Sequence, residues 1–212
     1  NTSKIRAGIL NVSGYAGAEL ARLLYQHAEV DLISVTARSA SEQKLGQLFP
    51  HLADIDLVIT SDIVDELDVV FSALPHAASA EQVGKVLEQD VRVIDLSADF
   101  RLKDINEYQA WYTIEHPCPK YIDQAVYGLP ELHRNEINSS KLIAVPGCYP
   151  TAAILALMPA VSCGVIEPDI IIDAKSGVSG SGRSLSLISH YSEVNDNLMA
   201  YSVDGHRHMP EI

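Results

Sequence analysis

An α/β fold built on a parallel sheet is what this sequence predicts, and three observations carry the prediction. Short apolar runs suited to buried strands alternate with stretches of helical spacing through the first half of the chain. A glycine pair interrupts the first strand-to-helix turn. The 212 residues are 47% hydrophobic and 20% charged, enough for one large domain or two modest ones.

Ile5-Arg6-Ala7-Gly8-Ile9-Leu10 reads as the first strand, and Ala18 to Tyr25 as a helix with Leu20, Leu23 and Leu24 on one face. Asp31–Thr36, Asp68–Leu74 and Val91–Leu96 are further strands, with a helix over Ala78 to Glu88. Strands separated by amphipathic helices imply βαβ units. From Asp99 to Ser140 the pattern loosens into a loop-rich excursion, punctuated by Pro117, Pro119, Gly128 and Pro130 and carrying Trp111 and several tyrosines. Order returns with a strand over Leu142–Val145 and a helix after Cys148 that ends near Pro159. Pro168 to Lys175 carries a buried-strand signal, followed by the glycine-rich loop Ser176 to Arg183. The last residues, Pro210-Glu211-Ile212, read as the first turn of a helix, so the chain is expected to be a fragment incomplete at its C-terminus.

The turn after the first strand runs Asn11-Val12-Ser13-Gly14-Tyr15-Ala16-Gly17. Glycines at such a turn let the backbone approach a pyrophosphate, which rests on the helix N-terminus. Asn11 stands where the first glycine is expected. Asparagine tolerates left-handed backbone angles, so the turn survives, but its side chain is expected to crowd the phosphate. The second strand ends Val35-Thr36-Ala37-Arg38-Ser39, with no acidic residue to hold a ribose 2′-hydroxyl. Arg38 and Ser39 therefore favour NADP.

Cys148 lies between a short apolar strand and an apolar helix, in Pro146-Gly147-Cys148-Tyr149-Pro150-Thr151. A cysteine there meets the positive end of the helix dipole and unpaired backbone N–H groups, which favour a thiolate. Gly147 permits the sharp turn, and Pro146 stiffens the approach. Most isolated cysteines are small buried hydrophobes; Cys118 and Cys163 lack the setting of Cys148 and are expected to be structural.

A formal net charge of −13 argues against non-specific binding to nucleic acid or an anionic membrane. Three cysteines without CxxC or zinc-like spacing fit a reducing compartment and give no metal site. No apolar run approaches the roughly 18 residues that span a bilayer. Asn1-Thr2-Ser3-Lys4 opens without a signal-peptide core, so a soluble cytoplasmic protein is expected.

Six motifs follow one another along the chain, beginning with Ser13-Gly14-Tyr15-Ala16-Gly17-Ala18-Glu19-Leu20, Asp95-Leu96-Ser97-Ala98-Asp99-Phe100-Arg101 and Val126-Tyr127-Gly128-Leu129-Pro130-Glu131. Pro146 to Thr151, Gly177 to Arg183 and His206-Arg207-His208-Met209-Pro210-Glu211-Ile212 complete them. In these motifs and their order the chain closely resembles the N-acetyl-gamma-glutamyl-phosphate reductases of arginine biosynthesis. The resemblance implies NADP-dependent reduction of N-acetyl-γ-glutamyl phosphate to N-acetylglutamate semialdehyde with release of phosphate. It also implies a Rossmann-type parallel-sheet NADP domain, residues 1–147. An α/β substrate domain of the semialdehyde and glyceraldehyde-3-phosphate dehydrogenase type would begin at 148 and continue to 212. Family members are generally homo-oligomers, dimers or tetramers.

A thiolate can attack the acyl phosphate, expel phosphate and leave a thioester for reduction. The step needs a proton carrier near the sulfur, and histidine suits it. Of the eight histidines, His208 is the first choice and His206 the second. Alternation along an extended segment predicts that only one of them faces Cys148. Glu211, three residues on, is expected to orient the imidazole. Arg101, Arg183 and Arg207 are the candidates for the substrate's anionic groups, with Ser179 beside them. Cofactor-binding candidates are Ser13, Gly14, Tyr15, Ala16, Gly17, Arg38, Ser39, Ser176 and Gly177, with His76 at a strand end. The competing readings are a semialdehyde dehydrogenase of the aspartate or N-acetyl-aminoadipate type, a cofactor-free cysteine hydrolase or acyltransferase, and a non-catalytic nucleotide-binding fragment.

Overall fold

The computed structural model describes residues 3–64, 66–167 and 169–212. The chain divides into two compact units, Asn1–Val145 and Pro146–Ile212.

The first unit is a six-stranded sheet whose paired strands are all parallel, in the order β2-β1-β3-β4-β6-β5. Its strands are β1 (Ile5–Leu10), β2 (Val30–Val35), β3 (Val69–Ser72), β4 (Arg92–Asp95), β5 (Ala125–Tyr127) and β6 (Leu142–Ala144). Helices α1 (Tyr15–Gln26), α3 (Ala78–Leu87), α4 (Ile105–Tyr112) and α5 (Pro130–Ser139) alternate with them, and α2 (Leu45–Leu48) is a single turn. Five of the six strands foreseen from apolar runs are present, all of them in this unit.

Near-continuous burial of Ala7, Ile9, Val70 and Val93 follows from helices covering the sheet. One cluster packs Ile9, Val12, Ala21 and Leu24 with Leu45, Phe49 and Ile59. A second packs Val70, Val83 and Val93 with Phe100, Ile122 and Leu142, and a third packs Ala98, Leu102, Tyr108 and Tyr112.

The excursion from Asp99 to Ser140 is more ordered than its punctuation suggested. It contains α4, β5 and α5, because its breakers fall at element boundaries rather than inside them. Pro130 is the first residue of α5, where its missing N–H costs nothing. Gly128 sits against β6, where a Cβ would come within 2.7 Å of the Ile143 side chain.

In the second unit, α6 (Cys148–Ser162) runs past Pro159 rather than ending there. A proline inside a helix removes one hydrogen bond, and the apolar turn beyond it continues nonetheless. The strand expected over Pro168–Lys175 is not formed. Pro168 lies outside the described residues, and 169–175 pairs with nothing as a strand, leaving Ile171 98% exposed. A strand exists only beside a partner, and among the described residues this unit offers no second one. Short turns follow at Val178–Ser181 and Leu187–Ser189, then α7 (Tyr191–Val194) and a 3₁₀ turn at Met209–Glu211. Among the described residues, no helix is long and apolar enough to cross a membrane.

Candidate functional site

Two groups of residues carry chemistry, one in each unit. In the first unit the chain order reverses between β1 and β3, the place where parallel sheets open a crevice at their strand ends. Asn11 stands there with φ of 65°, the left-handed angle its residue type tolerates. Its side chain does not project freely. Asn11 Nδ2 donates to the Ala73 carbonyl at 3.0 Å, and its Oδ1 accepts from Ser13 Oγ at 2.8 Å. Its backbone N–H donates to Thr36 Oγ1 at 3.2 Å. These bonds make Asn11 a staple joining the ends of β1, β2 and β3.

Gly17 is required by packing. A Cβ there would lie 2.5 Å from the Asn11 carbonyl oxygen and 2.7 Å from Val12 Cα. Gly14, the N-cap of α1, has nothing within 4 Å of such an atom and no side-chain cap. Tyr15 and Ala16 follow as exposed first-turn residues with orphan backbone N–H groups. This is a cradle an anion fits. Arg38 and Ser39 are exposed on a 3₁₀ turn, Arg38–Ala40, that follows β2.

Beyond β3, exposed His76 packs its ring on Tyr112 with centroids 5.4 Å apart. The motif Asp95 to Arg101 turns out to be a buried polar turn. Asp95 Oδ1 accepts from Ser79 Oγ at 2.6 Å, and its Oδ2 accepts from Ser97 Oγ at 2.6 Å. Arg101 donates through Nε to the Val145 carbonyl and through Nη2 to the Leu96 carbonyl, both at 2.8 Å. Those bonds tie the end of β6 to the turn after β4.

The second unit assembles the cysteine block. Gly147 is the N-cap of α6, and exposed Cys148 is the first helical residue. Glu211 Oε1 accepts the Gly147 N–H at 2.7 Å, so a carboxylate supplies the cap that no local side chain provides. Next to the cysteine, the Tyr149 hydroxyl donates to Ser176 Oγ at 2.9 Å and accepts from the Tyr201 hydroxyl at 2.8 Å. Burial, then the bond to Tyr149 and the charges of Tyr149 and Cys148, push the Tyr201 phenol up to about 12, with Arg207 opposing.

His206 and His208 lie on the same pocket rather than on opposite faces, their ring centroids 4.7 Å apart. The chain turns between them, with the His208 N–H donating to His206 Nδ1 at 3.2 Å. Tyr149 meets both rings edge-on, at 5.4 Å and 6.0 Å. Burial, and secondarily Arg207, hold the His206 imidazole below the usual histidine range, which favours its neutral, proton-accepting form. The pocket measures about 440 Å³, and Ile170, Ile172, Met209 and Ile212 supply its apolar lining.

Arg183, Arg207, Gly177 and Ser179 are exposed, the glycine-rich residues on or beside the turn Val178–Ser181. Sequence reasoning missed Tyr201 altogether and gave Tyr149 no role, because neither hydroxyl has a local signature. Their meeting joins residues 52 positions apart. Cys118 is half-buried and its thiol is pushed up by burial, while Cys163 is exposed at the C-cap of α6. Among the described residues, no cluster of potential metal ligands occurs.

Residues 6–140 match the model of the semialdehyde dehydrogenase NAD-binding domain, and residues 148–212 that of the semialdehyde dehydrogenase dimerisation domain. The N-acetyl-gamma-glutamyl-phosphate reductase of Dehalococcoides mccartyi is 54% identical over 99% of this chain and 61% of its own length. That of Heliobacterium modesticaldum is 47% identical over 98% of this chain and 61% of its own length. The chain thus spans about three-fifths of these relatives. Among solved structures, aspartate semialdehyde dehydrogenase II from Vibrio cholerae, complexed with ASA, is similar with a TM-score of 0.52 and 16% identity. The similarity covers 75% of this chain and 47% of that one. Aspartate semialdehyde dehydrogenase with NADP from Candida albicans gives 0.50 and 19%, covering 76% and 48%. At these identities the structures support the fold.

Proposed function

The chain belongs to the semialdehyde dehydrogenase family, and from that membership we propose that the protein reduces N-acetyl-γ-glutamyl phosphate to N-acetylglutamate semialdehyde, releasing phosphate. The reading is supported most by Cys148 heading α6 with the His206 and His208 rings on the adjoining pocket. The names of the curated relatives support this substrate among semialdehyde precursors. In this reading residues 1–147 are the cofactor domain and 148–212 the first part of the catalytic domain. The protein works in the cytoplasm as a homo-oligomer.

The turn Ser13-Gly14-Tyr15-Ala16-Gly17 fits a dinucleotide pyrophosphate, being open at Gly14 and closely packed at Gly17. Arg38 and Ser39 would meet the 2′-phosphate of NADP. His76 would border the same edge, and Ser176 and Gly177 are assigned to the cofactor by motif. A bound NADPH supplies the hydride that takes a thioester to the aldehyde level.

The chain's own residues do the rest. The Cys148 sulfur attacks the acyl carbon, a C–S bond forms, the C–O bond to phosphate breaks, and inorganic phosphate leaves. His208 takes the thiol proton, with His206 as the alternative carrier, and the proton departs with phosphate. After reduction the C–S bond breaks, the semialdehyde leaves, and the Cys148 thiolate regains a proton from solvent through the histidine before the next turnover. Glu211 positions the helix start that carries the sulfur through Gly147. Arg183 and Arg207, with Ser179, hold the substrate's carboxylate and phosphate. Arg101 is assigned to the substrate by its motif, and its bonds to Leu96 and Val145 anchor it.

The test is phosphate-dependent reduction of NADP by N-acetylglutamate semialdehyde, measured at the nicotinamide band with the complete protein. Cys148→Ser and His208→Asn should each lower turnover by about a hundredfold or more. Near-normal turnover in Cys148→Ser would end the thioester mechanism. Cofactor binding without a fast-reacting cysteine would leave only a nucleotide-binding module.

A further inference from the structure

Ala77 has φ of 67° and ψ of −46°, a left-handed angle that alanine adopts only when its surroundings impose it. It follows His76 and is the N-cap of α3, and no side-chain cap comes from its own segment. What holds it is Asp99, 22 residues later and fully buried. Asp99 Oδ1 accepts the Ala77 N–H at 2.8 Å, and Oδ2 accepts the Ala80 N–H at 2.8 Å. The Tyr108 hydroxyl donates to Oδ1 at 2.8 Å. Tyr108 stacks on Tyr112 at 4.9 Å, and Tyr112 meets the His76 ring.

The carboxylate is itself fixed from behind. The Asp99 N–H donates to Ser97 Oγ at 3.1 Å. His116 Nδ1 accepts the Cys118 N–H, so Nε2 carries hydrogen and donates to the Asp99 carbonyl at 2.6 Å. Of the bonds the carboxylate accepts, those from Ala77 and Ala80 hold the start of α3 and with it the turn Pro75-His76-Ala77 that follows β3, and the one from Tyr108 braces the carboxylate from α4. That turn borders the switch point between β1 and β3, and Asn11 reaches the same segment at Ala73.

We infer that Asp99 is a positioning residue for cofactor binding: it selects the left-handed turn at Ala77 and so fixes His76 on the dinucleotide edge of the sheet. The inference rests on the reading that a dinucleotide binds at that edge. A turn released from Asp99 samples other backbone angles, and affinity falls with the fraction of molecules in the competent one. Asparagine at 99 is close in shape but turns an amide NH₂ toward one of the two backbone N–H groups.

NADPH dissociation constants, from nicotinamide fluorescence with the complete protein, test it. Asp99→Asn should weaken NADPH about tenfold while the far-ultraviolet dichroism is retained. Adding Ala77→Gly should restore at least half of that loss on a logarithmic scale, because glycine adopts the left-handed angle without being held. Ala77→Val, on the partly exposed turn, leaves Asp99 untouched but bars the angle and should also cost about tenfold. If Ala77→Val binds NADPH as tightly as the unsubstituted protein, or if glycine rescues nothing in folded Asp99→Asn, the inference fails. Should Asp99→Asn not fold, Ala77→Val alone decides. An unsubstituted protein that does not bind NADPH would overturn the cofactor reading beneath it, a result distinguishable from either failure.

Discussion

Asp95 ends β4 with no exposed surface and depends on hydroxyls from Ser79 and Ser97. Burial pushes its carboxyl well above the ordinary carboxylate range, the hydrogen bonds from Ser79 and Ser97 pull it back, and the charge of Asp99 adds to the rise. A folded value above the unfolded one means the folded chain holds the proton longer. The resulting stabilisation is present at low pH and is lost as pH rises from the unfolded value through the raised folded one. Melting temperature followed across that window should fall more steeply in the unsubstituted protein than in Asp95→Asn, which has no proton to release. Equal slopes would show that Asp95 does not titrate differently on folding. The sequence singled out Asp95 to Arg101 as a motif, yet the motif's meaning lay in partners 16 to 44 residues away. Asn11 was legible in part: its backbone angle followed from residue type, while its bond to Ala73 depended on β3 arriving beside β1.

Among the elements, α6 shows how a helix end is finished from a distance. The segment's own sequence leaves its N-terminus without a side-chain cap, and Glu211 provides one at Gly147 across 64 residues. A carboxylate at a helix start meets both the orphan N–H groups and the dipole. Glu211→Ala should therefore cost about 1 kcal/mol in chemical denaturation, and Glu211→Gln less, since the amide oxygen still accepts. Glu211→Gln should also slow turnover more than it lowers stability if the cap sets the sulfur's position; unchanged turnover would reduce Glu211 to a stabilising cap. Strands β1 to β4 and β6, and helices α1 and α3, were readable because apolar runs and helical spacing are local. Helix α5 was not, because Gly128 and Pro130 mark boundaries in the structure and breaks in the sequence; α4 was not, because its polar and aromatic residues give no clear apolar face. The expected strand before Lys175 failed for the opposite reason: Ile170, Ile171 and Ile172 have strand-forming side chains and no ladder partner.

At the level of the whole molecule, the formal charge of −13 implies net self-repulsion that dissolved ions screen. Raising sodium chloride from about 10 to about 300 mM should raise the melting temperature by a few degrees, since the Debye length contracts to below about 10 Å. A melting temperature that falls with salt would show that the surface ion pairs, such as Arg22 with Glu19 and Lys120 with Glu88, outweigh the repulsion. The two units differ in how they are held. The first has buried clusters on a continuous sheet, whereas the described residues of the second bury only Pro146, Gly147, Pro150 and Ala153.

The amino-acid sequence by itself determined the alternation of strands and helices, the glycine turn after β1, the placement of Cys148 at a helix start and the family. The first three are written in neighbouring residues, through backbone preference and apolar periodicity; the family follows from the likeness of its motifs. Tertiary structure alone decided that His206 and His208 share a pocket with Tyr149 and Tyr201. It also decided that Glu211 caps α6 and that Asp99 holds Ala77. Those are hydrogen bonds and ring contacts between distant segments. Their geometry exists only once the sheet order and the chain's turns have brought donors and acceptors within 3 Å or so of each other.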